Sequence, residues 1–254
     1  MADDTRWPQG HRVFDADKAE VLQHEVTQLR REVKVPLPGM LYPDLVAWVD
    51  LHPAHWRRTY PSRRVNSIYF DSPDYAALNA NLAGISGRAK LRLRWYGPML
   101  SPVPGGRLEL KQKRGRAGWK ESVAADLRLD LGTGTWDLLF PALRAAVCED
   151  GRRWLDRYSE PVLVNSYRRD YFATPDEAVR LTVDRDLRAY GQRSALAPNL
   201  TRSVPTDDLV ILELKAPETP GAQRRLDDVL AGLPVAVGRF SKYVSGVLAT
   251  PDFA

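Results

Sequence analysis

Apolar residues alternate with charged or polar residues along much of the chain between residues 29 and 215. Because successive side chains of a strand point to opposite faces of a sheet, this period of two is typical of strands with one apolar and one polar face. It predicts eight strands, at residues 29–35, 65–71, 87–96, 107–113, 119–127, 162–172, 178–184 and 209–215. Helical spacing instead predicts helices at residues 41–51, 75–82, 221–230 and 240–248, and one that opens at Thr135 with Leu138, Leu139, Leu143 and Val147 on one side.

Around eight strands with few long helices between them predict an α+β fold, in which one antiparallel sheet is closed or nearly closed into a β-barrel with helices packed outside. The strand rhythm has no break, so residues 25–254 are predicted to form a single domain. Residues 1–24 are polar and have no clean apolar period, and we expect a flexible or partly helical N-terminal extension there.

The composition is that of an ordinary globular protein, and 254 residues can bury a core without covalent cross-links. Cys148 is the only cysteine, so no intrachain disulfide can form and a reducing compartment is expected. The first residues are acidic rather than basic, and the longest apolar stretch has about ten residues, too few to span a bilayer. We therefore expect a cytoplasmic protein without a membrane segment.

The net charge is a modest +5, so the placement of the charges is more informative than their number. On the strand predicted at residues 87–96, four cations share one face and four apolar residues share the other: Arg88, Lys90, Arg92 and Arg94 against Ala89, Leu91, Leu93 and Trp95. Neighbouring cations repel one another, and they are expected to cost stability unless an anion binds. For this one segment, a solvated face of an amphipathic strand is the simpler interpretation.

The same alternation recurs on other predicted strands, which weakens that simpler interpretation. The recurring sets are Glu32 with Lys34, Glu109 with Lys111 and Lys113, Tyr167 with Arg169, Arg180 with Thr182, and Glu213 with Lys215. In a closed sheet these faces would line the interior, and an interior of Arg and Lys is expected only where a polyanion binds. The interspersed carboxylates of Glu32, Glu109 and Glu213 either ligate Mg²⁺ or Mn²⁺ or balance the charge of neighbouring lysines.

Five segments together resemble the VTC (vacuolar transporter chaperone) polyphosphate polymerase domain, which belongs to the triphosphate tunnel metalloenzyme, or CYTH, superfamily. They are EVK at 32–34, KLRLRWY at 90–96, LELKQK at 108–113, ILELK at 211–215 and FSKY at 240–243, and the likeness covers roughly residues 25–249. The resemblance implies an eight-stranded antiparallel tunnel, open at both ends. It also implies a polymerase that transfers the γ-phosphoryl group of ATP to a growing polyphosphate chain with the help of Mn²⁺ or Mg²⁺.

The resemblance and the alternation along the strands together predict roles for individual residues. Catalysis would depend on Lys34, Arg92, Arg94, Lys111, Arg169 and Lys242. Substrate would be bound by Glu32, Arg88, Lys90, Lys113, Lys120, Tyr167, Arg180, Lys215 and Ser241. The metal ligands would be Glu213, as the principal one, and Glu109. Arg168 is expected to face outward, because it alternates with Arg169 on the same strand.

One departure from the superfamily helps to choose among its activities. Hydrolytic members begin with Glu-x-Glu-x-Lys, where this chain has Arg30, Glu32 and Lys34 at alternate positions. Fewer carboxylates give less support to a second metal and to activation of water, whereas an additional cation favours a long polyanion. A polymerase is therefore favoured over a tunnel triphosphatase that hydrolyses inorganic triphosphate or a nucleoside triphosphate.

Two further alternatives are a non-catalytic polyphosphate-binding sensor and an RNA-binding barrel whose cations face outward. We expect ATP and polyphosphate as ligands and no nucleic acid, while a membrane-protein partner is an open alternative. Neither a Walker motif nor a Gly-x-Gly-x-x-Gly loop occurs in the chain. The run Asp184-Arg185-Asp186 is interpreted as a turn at the end of a strand rather than as a metal site.

Overall fold

The computed structural model describes residues 24–26, 30–99, 103, 106–115, 117–125, 129–193, 195–233 and 235–251. The strands in these ranges are β1 (His24–Val26), β2 (Arg30–Pro38), β3 (Arg57–Asp71), β4 (Arg88–Tyr96), β5 (Gly106–Arg114), β6 (Ala117–Ala125), β7 (Glu160–Ala173), β8 (Arg180–Gly191) and β9 (Leu209–Pro217). The α-helices are α1 (Tyr42–Leu51), α2 (Ala76–Leu82), α3 (Trp136–Ala145), α4 (Glu149–Arg157), α5 (Pro220–Ala231) and α6 (Lys242–Leu248).

All nine strands form one antiparallel sheet, in the order β1-β6-β5-β4-β3-β7-β8-β9-β2. The sheet curls strongly, since Glu32 on β2, at one end of this order, contacts Lys111 on β5, near the other end, at 2.5 Å. The α+β class and the antiparallel arrangement are therefore confirmed, but the closed eight-stranded barrel is wrong. Among the described strands no ladder joins β2 to β6, because β1 pairs with β6 while β2 pairs with β9.

The convex face of the sheet is apolar and packs against helices. On β4, Leu91, Leu93 and Trp95 are at most 1% exposed, and they belong to a core that includes Leu143 of α3 and Leu155 of α4. On β2, β8 and β9 the same face packs against α1 and α5. Burial of this apolar area stabilises the sheet, and strand alternation leaves the intervening polar residues on the concave face.

Helix α6 differs from the others because it lies against the concave face. Its Tyr243 packs on Tyr69 of β3 with ring centroids 5.1 Å apart. Gly246 lies so close to β7 that a Cβ atom there would come within 2.6 Å of the Leu163 side chain. The expectation that the helices pack outside the sheet is therefore wrong for α6, and the absent side chain of Gly246 permits this close approach.

Several predicted elements have different limits in the structure. β2 continues through two prolines to Pro38, which a strand at the end of the sheet order tolerates because one of its edges needs no hydrogen-bond donors. β3 begins at Arg57 rather than at residue 65. Its first half was not predicted, because the residues there are exposed and show no alternation of burial. α4 was not predicted, because its stretch is mostly charged. Leu138, placed with the buried side of the helix after Thr135, is 67% exposed.

The other predicted strands and helices are confirmed, with ends that differ mostly by a few residues. None of the described helices has the length and apolar character needed to cross a membrane. The extension predicted at residues 1–24 lies, up to residue 23, outside the described residues. The single domain and the cytoplasmic location stay predictions.

Candidate anion-binding site

The concave face of the sheet gathers many more cations than carboxylates. Ten cationic side chains interact there with four carboxylates or with the N-terminus of α6: Arg30, Lys34, Lys90, Arg92, Arg94, Lys111, Lys120, Arg169, Lys215 and Lys242, with Glu32, Glu109, Asp184 and Glu213. We call these residues the cationic cluster. Strand alternation brings them together, because every strand that contributes turns its polar face inward.

Glu109 on β5 lies at the centre of one part of the cluster. It is 4% exposed and sits opposite Arg92 of β4 in the strand register. Arg92 approaches its Oε2 atom to 2.7 Å, Arg94 lies 3.7 Å from the same atom, and Lys120 lies 2.7 Å from Oε1. Burial alone would raise the pKa of Glu109, but these three cations hold it well below its usual value. The ionised carboxylate therefore fixes the positions of three cations.

Glu213 on β9 also has three cations around it, but on average they lie farther from its oxygens than those around Glu109 do. Lys215 lies 2.8 Å and Arg169 3.6 Å from its Oε2 atom, whereas Lys34 lies 3.8 Å from Oε1. Burial opposes ionisation, yet Lys215, Lys34 and Arg169 hold the pKa of Glu213 well below its usual value. In the described part of the protein, Oε1 is the less engaged of the two carboxylate oxygens.

Glu32 on β2 joins the two ends of the sheet. Its Oε2 atom lies 2.5 Å from Lys111 of β5, and its Oε1 atom accepts a hydrogen bond from Arg30 at 3.0 Å. Burial would raise the pKa of Glu32, but Lys111 lowers it to about 2. The cation that replaces a carboxylate at position 30 therefore takes part in the cluster.

Asp184 on β8 was missed by the sequence analysis. It is fully buried, accepts two hydrogen bonds from Arg169 at 2.5 and 2.7 Å, and accepts a third from Lys242 of α6 at 2.6 Å. Burial would raise its pKa, but Arg169 and Lys242 lower it to about 2. The interpretation of this stretch as a strand-end turn is wrong, because β8 continues past Asp184 to Gly191.

Lys90 contacts no carboxylate among the described residues. Its Nζ atom donates a hydrogen bond to Ser241 Oγ at 2.8 Å and lies 5.5 Å from the centre of the Tyr243 ring. Burial, together with Lys34 and other nearby cations, lowers the pKa of Lys90 to about 7, and burial lowers that of Lys215 to about 8. Positive charge is thus disfavoured here in the absence of a ligand, which is the condition under which an anion binds favourably.

Two tyrosines place hydroxyl groups among the cations. Tyr167 accepts a hydrogen bond from Arg94 at 3.3 Å, and Lys242 lies 4.6 Å above its ring. Tyr69, which the sequence analysis did not select, accepts one from Arg92 at 3.4 Å. Burial would raise the pKa of Tyr69, but Arg92 and Arg94 lower it to about 8. Tyr69 lies opposite Arg92 in the register of β3 and β4, a pairing that alternation within one strand does not reveal.

Three of the predicted substrate-binding residues lie at the margin of the site. Arg88 and Lys113 face each other across β4 and β5; Arg88 donates to the Ile85 carbonyl at 2.7 Å, and Lys113 is exposed. Arg180 lies opposite Lys215 and is also exposed. The other predicted site residues all lie in or against the cationic cluster, and Arg168 is exposed as expected. Their individual roles stay predictions.

The fold and the site define an α+β protein whose curled antiparallel sheet gathers partly buried cations on its concave face. The chain belongs to the VTC domain family, whose family model matches residues 14–250. This finding confirms the resemblance seen in the sequence. A search of curated proteins finds none that matches this chain.

Two solved structures share a distant likeness with the chain. A "putative adenylate cyclase" from Vibrio parahaemolyticus is 12% identical over 80% of this chain and 86% of its own, with a TM-score of 0.43. A chain of the Mediator head module from Schizosaccharomyces pombe is 9% identical over 80% of this chain and 92% of its own, with a TM-score of 0.41. Likenesses this remote say nothing about function.

Proposed function

We propose that this protein is a metal-dependent polyphosphate polymerase that transfers the γ-phosphoryl group of ATP to a growing polyphosphate chain on the concave face of its sheet. The observation that carries the proposal is the excess of partly buried cations over carboxylates in the cationic cluster. Cations that outnumber the carboxylates beside them repel one another and cost stability, and a run of phosphates would supply the missing negative charge. Membership of the VTC domain family supports chemistry on phosphate chains.

The proposed transfer needs little covalent participation by the protein. A terminal oxygen of the polyphosphate chain forms a bond to the γ-phosphorus, the bond from that phosphorus to the bridging oxygen breaks, and ADP leaves with the electron pair. The acceptor oxygen is already anionic, so no proton is removed and no general base is required. Positioning and stabilisation of the spread charge carry such a reaction, and Arg92, Arg94 and Arg169 offer fixed guanidinium groups for both.

Transfer is favoured over hydrolysis by what surrounds Glu32. Hydrolysis would benefit from additional carboxylates that hold a second metal or activate water. In this protein Arg30 pairs with Glu32 at 3.0 Å, so the position adds a cation instead. The same arrangement would help to hold a long polyanion.

Of the two proposed metal ligands, Glu213 fits a divalent cation better than Glu109. Both oxygens of Glu109 have a cation within 2.7 Å, whereas Glu213 Oε1 has its described cation contact at 3.8 Å. The described residues contain no group of three or more His, Cys, Asp or Glu side chains that could hold a metal by themselves. Mg²⁺ or Mn²⁺ would therefore bind mainly through phosphate oxygens, with Glu213 as the protein ligand, and would neutralise charge on the transferred group.

The proposal is tested by incubating the purified protein with ATP and Mn²⁺ and following polyphosphate on gels together with release of ADP and free phosphate. We expect polyphosphate and ADP from the wild type and from Glu218→Gln, an exposed control, and neither from Glu213→Gln. Free phosphate without polymer would identify a triphosphatase instead. Tight polyphosphate binding without turnover would identify a sensor.

A further inference from the structure

A cavity of about 340 Å³ lies between α6 and the concave face of β7 and β8. Asn165 and Tyr167 of β7 line one side, and Phe240, Lys242 and Ser245 approach from α6 and the residue pair before it. Both Tyr167 and Lys242 also contact the cationic cluster, because Arg94 donates to the Tyr167 hydroxyl and Lys242 donates to Asp184. The cavity is therefore continuous with the cationic cluster at Lys242.

Asn165 is an unusual residue in the wall of this cavity. It is 3% exposed, and neither its Nδ2 nor its Oδ1 atom has a hydrogen-bond partner in the described part of the chain. Asn66, on the adjacent strand β3, is equally buried but donates to the Gly97 carbonyl at 2.9 Å and accepts from Ser166 at 2.7 Å. Buried carboxamides are normally satisfied as Asn66 is, so the free donor and acceptor of Asn165 call for a ligand.

The remaining walls indicate the shape and chemistry of that ligand. Tyr167 and Phe240 offer aromatic surfaces, and Leu187, Leu209 and Leu248 make part of the lining apolar. Arg188, Asp207 and Lys242 add charged groups to the lining, but inorganic polyphosphate has no apolar surface and leaves the aromatic and leucine walls unmatched. A flat heteroaromatic ring with adjacent donor and acceptor atoms matches these walls, and the asparagine carboxamide pairs in this way with the N6 and N7 edge of adenine.

We propose that this cavity binds the adenine base of the nucleotide donor, with the Asn165 carboxamide paired to the base edge and Lys242 facing the phosphates. The assignment rests on the proposed use of ATP and adds the part of the site that recognises the nucleoside. In this assignment the adenine base occupies the cavity between α6 and the sheet, whereas the phosphates of ATP and of the polyphosphate chain occupy the cationic cluster. The volume of the cavity lies at the lower end of the range for small-molecule sites, about 300–1,000 Å³.

The test is a calorimetric titration of the wild type and Asn165→Leu with ATP, adenosine and inorganic tripolyphosphate. Leucine keeps the shape of the side chain and removes both hydrogen-bonding atoms. We expect the affinity for ATP to fall roughly tenfold or more and adenosine binding to be lost, while the affinity for tripolyphosphate stays within about twofold. Because the Asn165 carboxamide has no partner in the unliganded fold, the thermal midpoint is not expected to fall.

Two further variants serve as controls for Asn165→Leu. Asn66→Leu removes a satisfied buried carboxamide, and we expect it to lower the thermal midpoint. Phe240→Ala, from the other side of the cavity, is expected to weaken ATP selectively, as Asn165→Leu does, and keeps the test valid if the leucine variant does not fold. Equal weakening of ATP and tripolyphosphate in the cavity variants, or no weakening of ATP, would overturn the assignment.

The outcome also distinguishes this inference from the proposed function. If tripolyphosphate does not bind the wild type while adenosine binds in an Asn165-dependent way, the polyphosphate proposal fails and the base site stands. If tripolyphosphate binds but the adenine base adds no affinity to ATP, the proposed base site is refuted and the proposed phosphate site is supported. Binding of neither ligand refutes both.

Discussion

Replacement of Lys90 by methionine separates a ligand-binding role of the cationic cluster from a structural one. Among the described residues, Lys90 is the cluster lysine without a carboxylate contact, and its pKa is lowered from 10.5 to about 7 by burial and by cations such as Lys34 and Lys111. At about 1.4 kcal/mol per pH unit, this depression is worth at most ~5 kcal/mol. Because solvent screening and local relaxation reduce it, we expect Lys90→Met to raise the free energy of unfolding by roughly 1–3 kcal/mol at pH 7.5.

The assay is urea unfolding at pH 7.5 with and without polyphosphate. The wild type is expected to gain more stability from polyphosphate than Lys90→Met does, because the variant has lost a charge that the ligand would neutralise. Arg168→Met is the matched control: it removes a cation from an exposed position on β7, and we expect a change within about 0.5 kcal/mol and full stabilisation by polyphosphate. A Lys90→Met protein that unfolds at lower urea than the wild type, yet keeps that full stabilisation, would refute the reasoning.

Two other results are expected. Asp184→Asn leaves Arg169 and Lys242 without their buried carboxylate, so calorimetry should show that the free energy of unfolding falls by about 3–5 kcal/mol. Polyphosphate should restore part of this stability. A decrease below about 1 kcal/mol would contradict the role of Asp184. Polyphosphate affinity should fall as pH rises from about 7 to 9, because Lys90 and Lys215 lose protons in the free protein, at pKa values of about 7 and 8, and must regain them on binding. Lys90→Arg should make the affinity for polyphosphate less dependent on pH. An affinity that rises with pH would rule out this role of the two lysines.

The sequence predicted those features of the site that depend on local alternation. Along β4 the period of two separates buried Leu91 and Leu93 from Arg92 and Arg94, and both faces lie where the pattern placed them. The pattern is reliable here because one face packs against helices and any shift of register by one residue would bury the charges against them. The same reasoning placed Glu109 and Glu213 on the concave face.

Features that depend on distant parts of the chain could not be predicted in this way. In sequence, Asp184 stands in the short run Asp184-Arg185-Asp186, and one of its cation partners, Lys242, lies 58 positions away. The position of α6 on the concave face depends on its fit against Leu163 through Gly246, which helical periodicity does not reveal. The open sheet likewise depends on distant parts of the chain, because β1 forms one edge beside β6 and β2 forms the other edge beside β9.

The arrangement of the carboxylates explains how so many cations can be held without being neutralised. Each of Glu109, Asp184 and Glu213 contacts two or more cations, so each carboxylate fixes several side chains while a positive excess is left. The cations come from β2, β4, β5, β6, β7, β9 and α6, and therefore surround the concave space instead of forming one patch. A single phosphate would meet only a few of them. A chain of phosphates can meet successive groups along its length, and this supports the proposal that the ligand is a polyphosphate rather than a small anion.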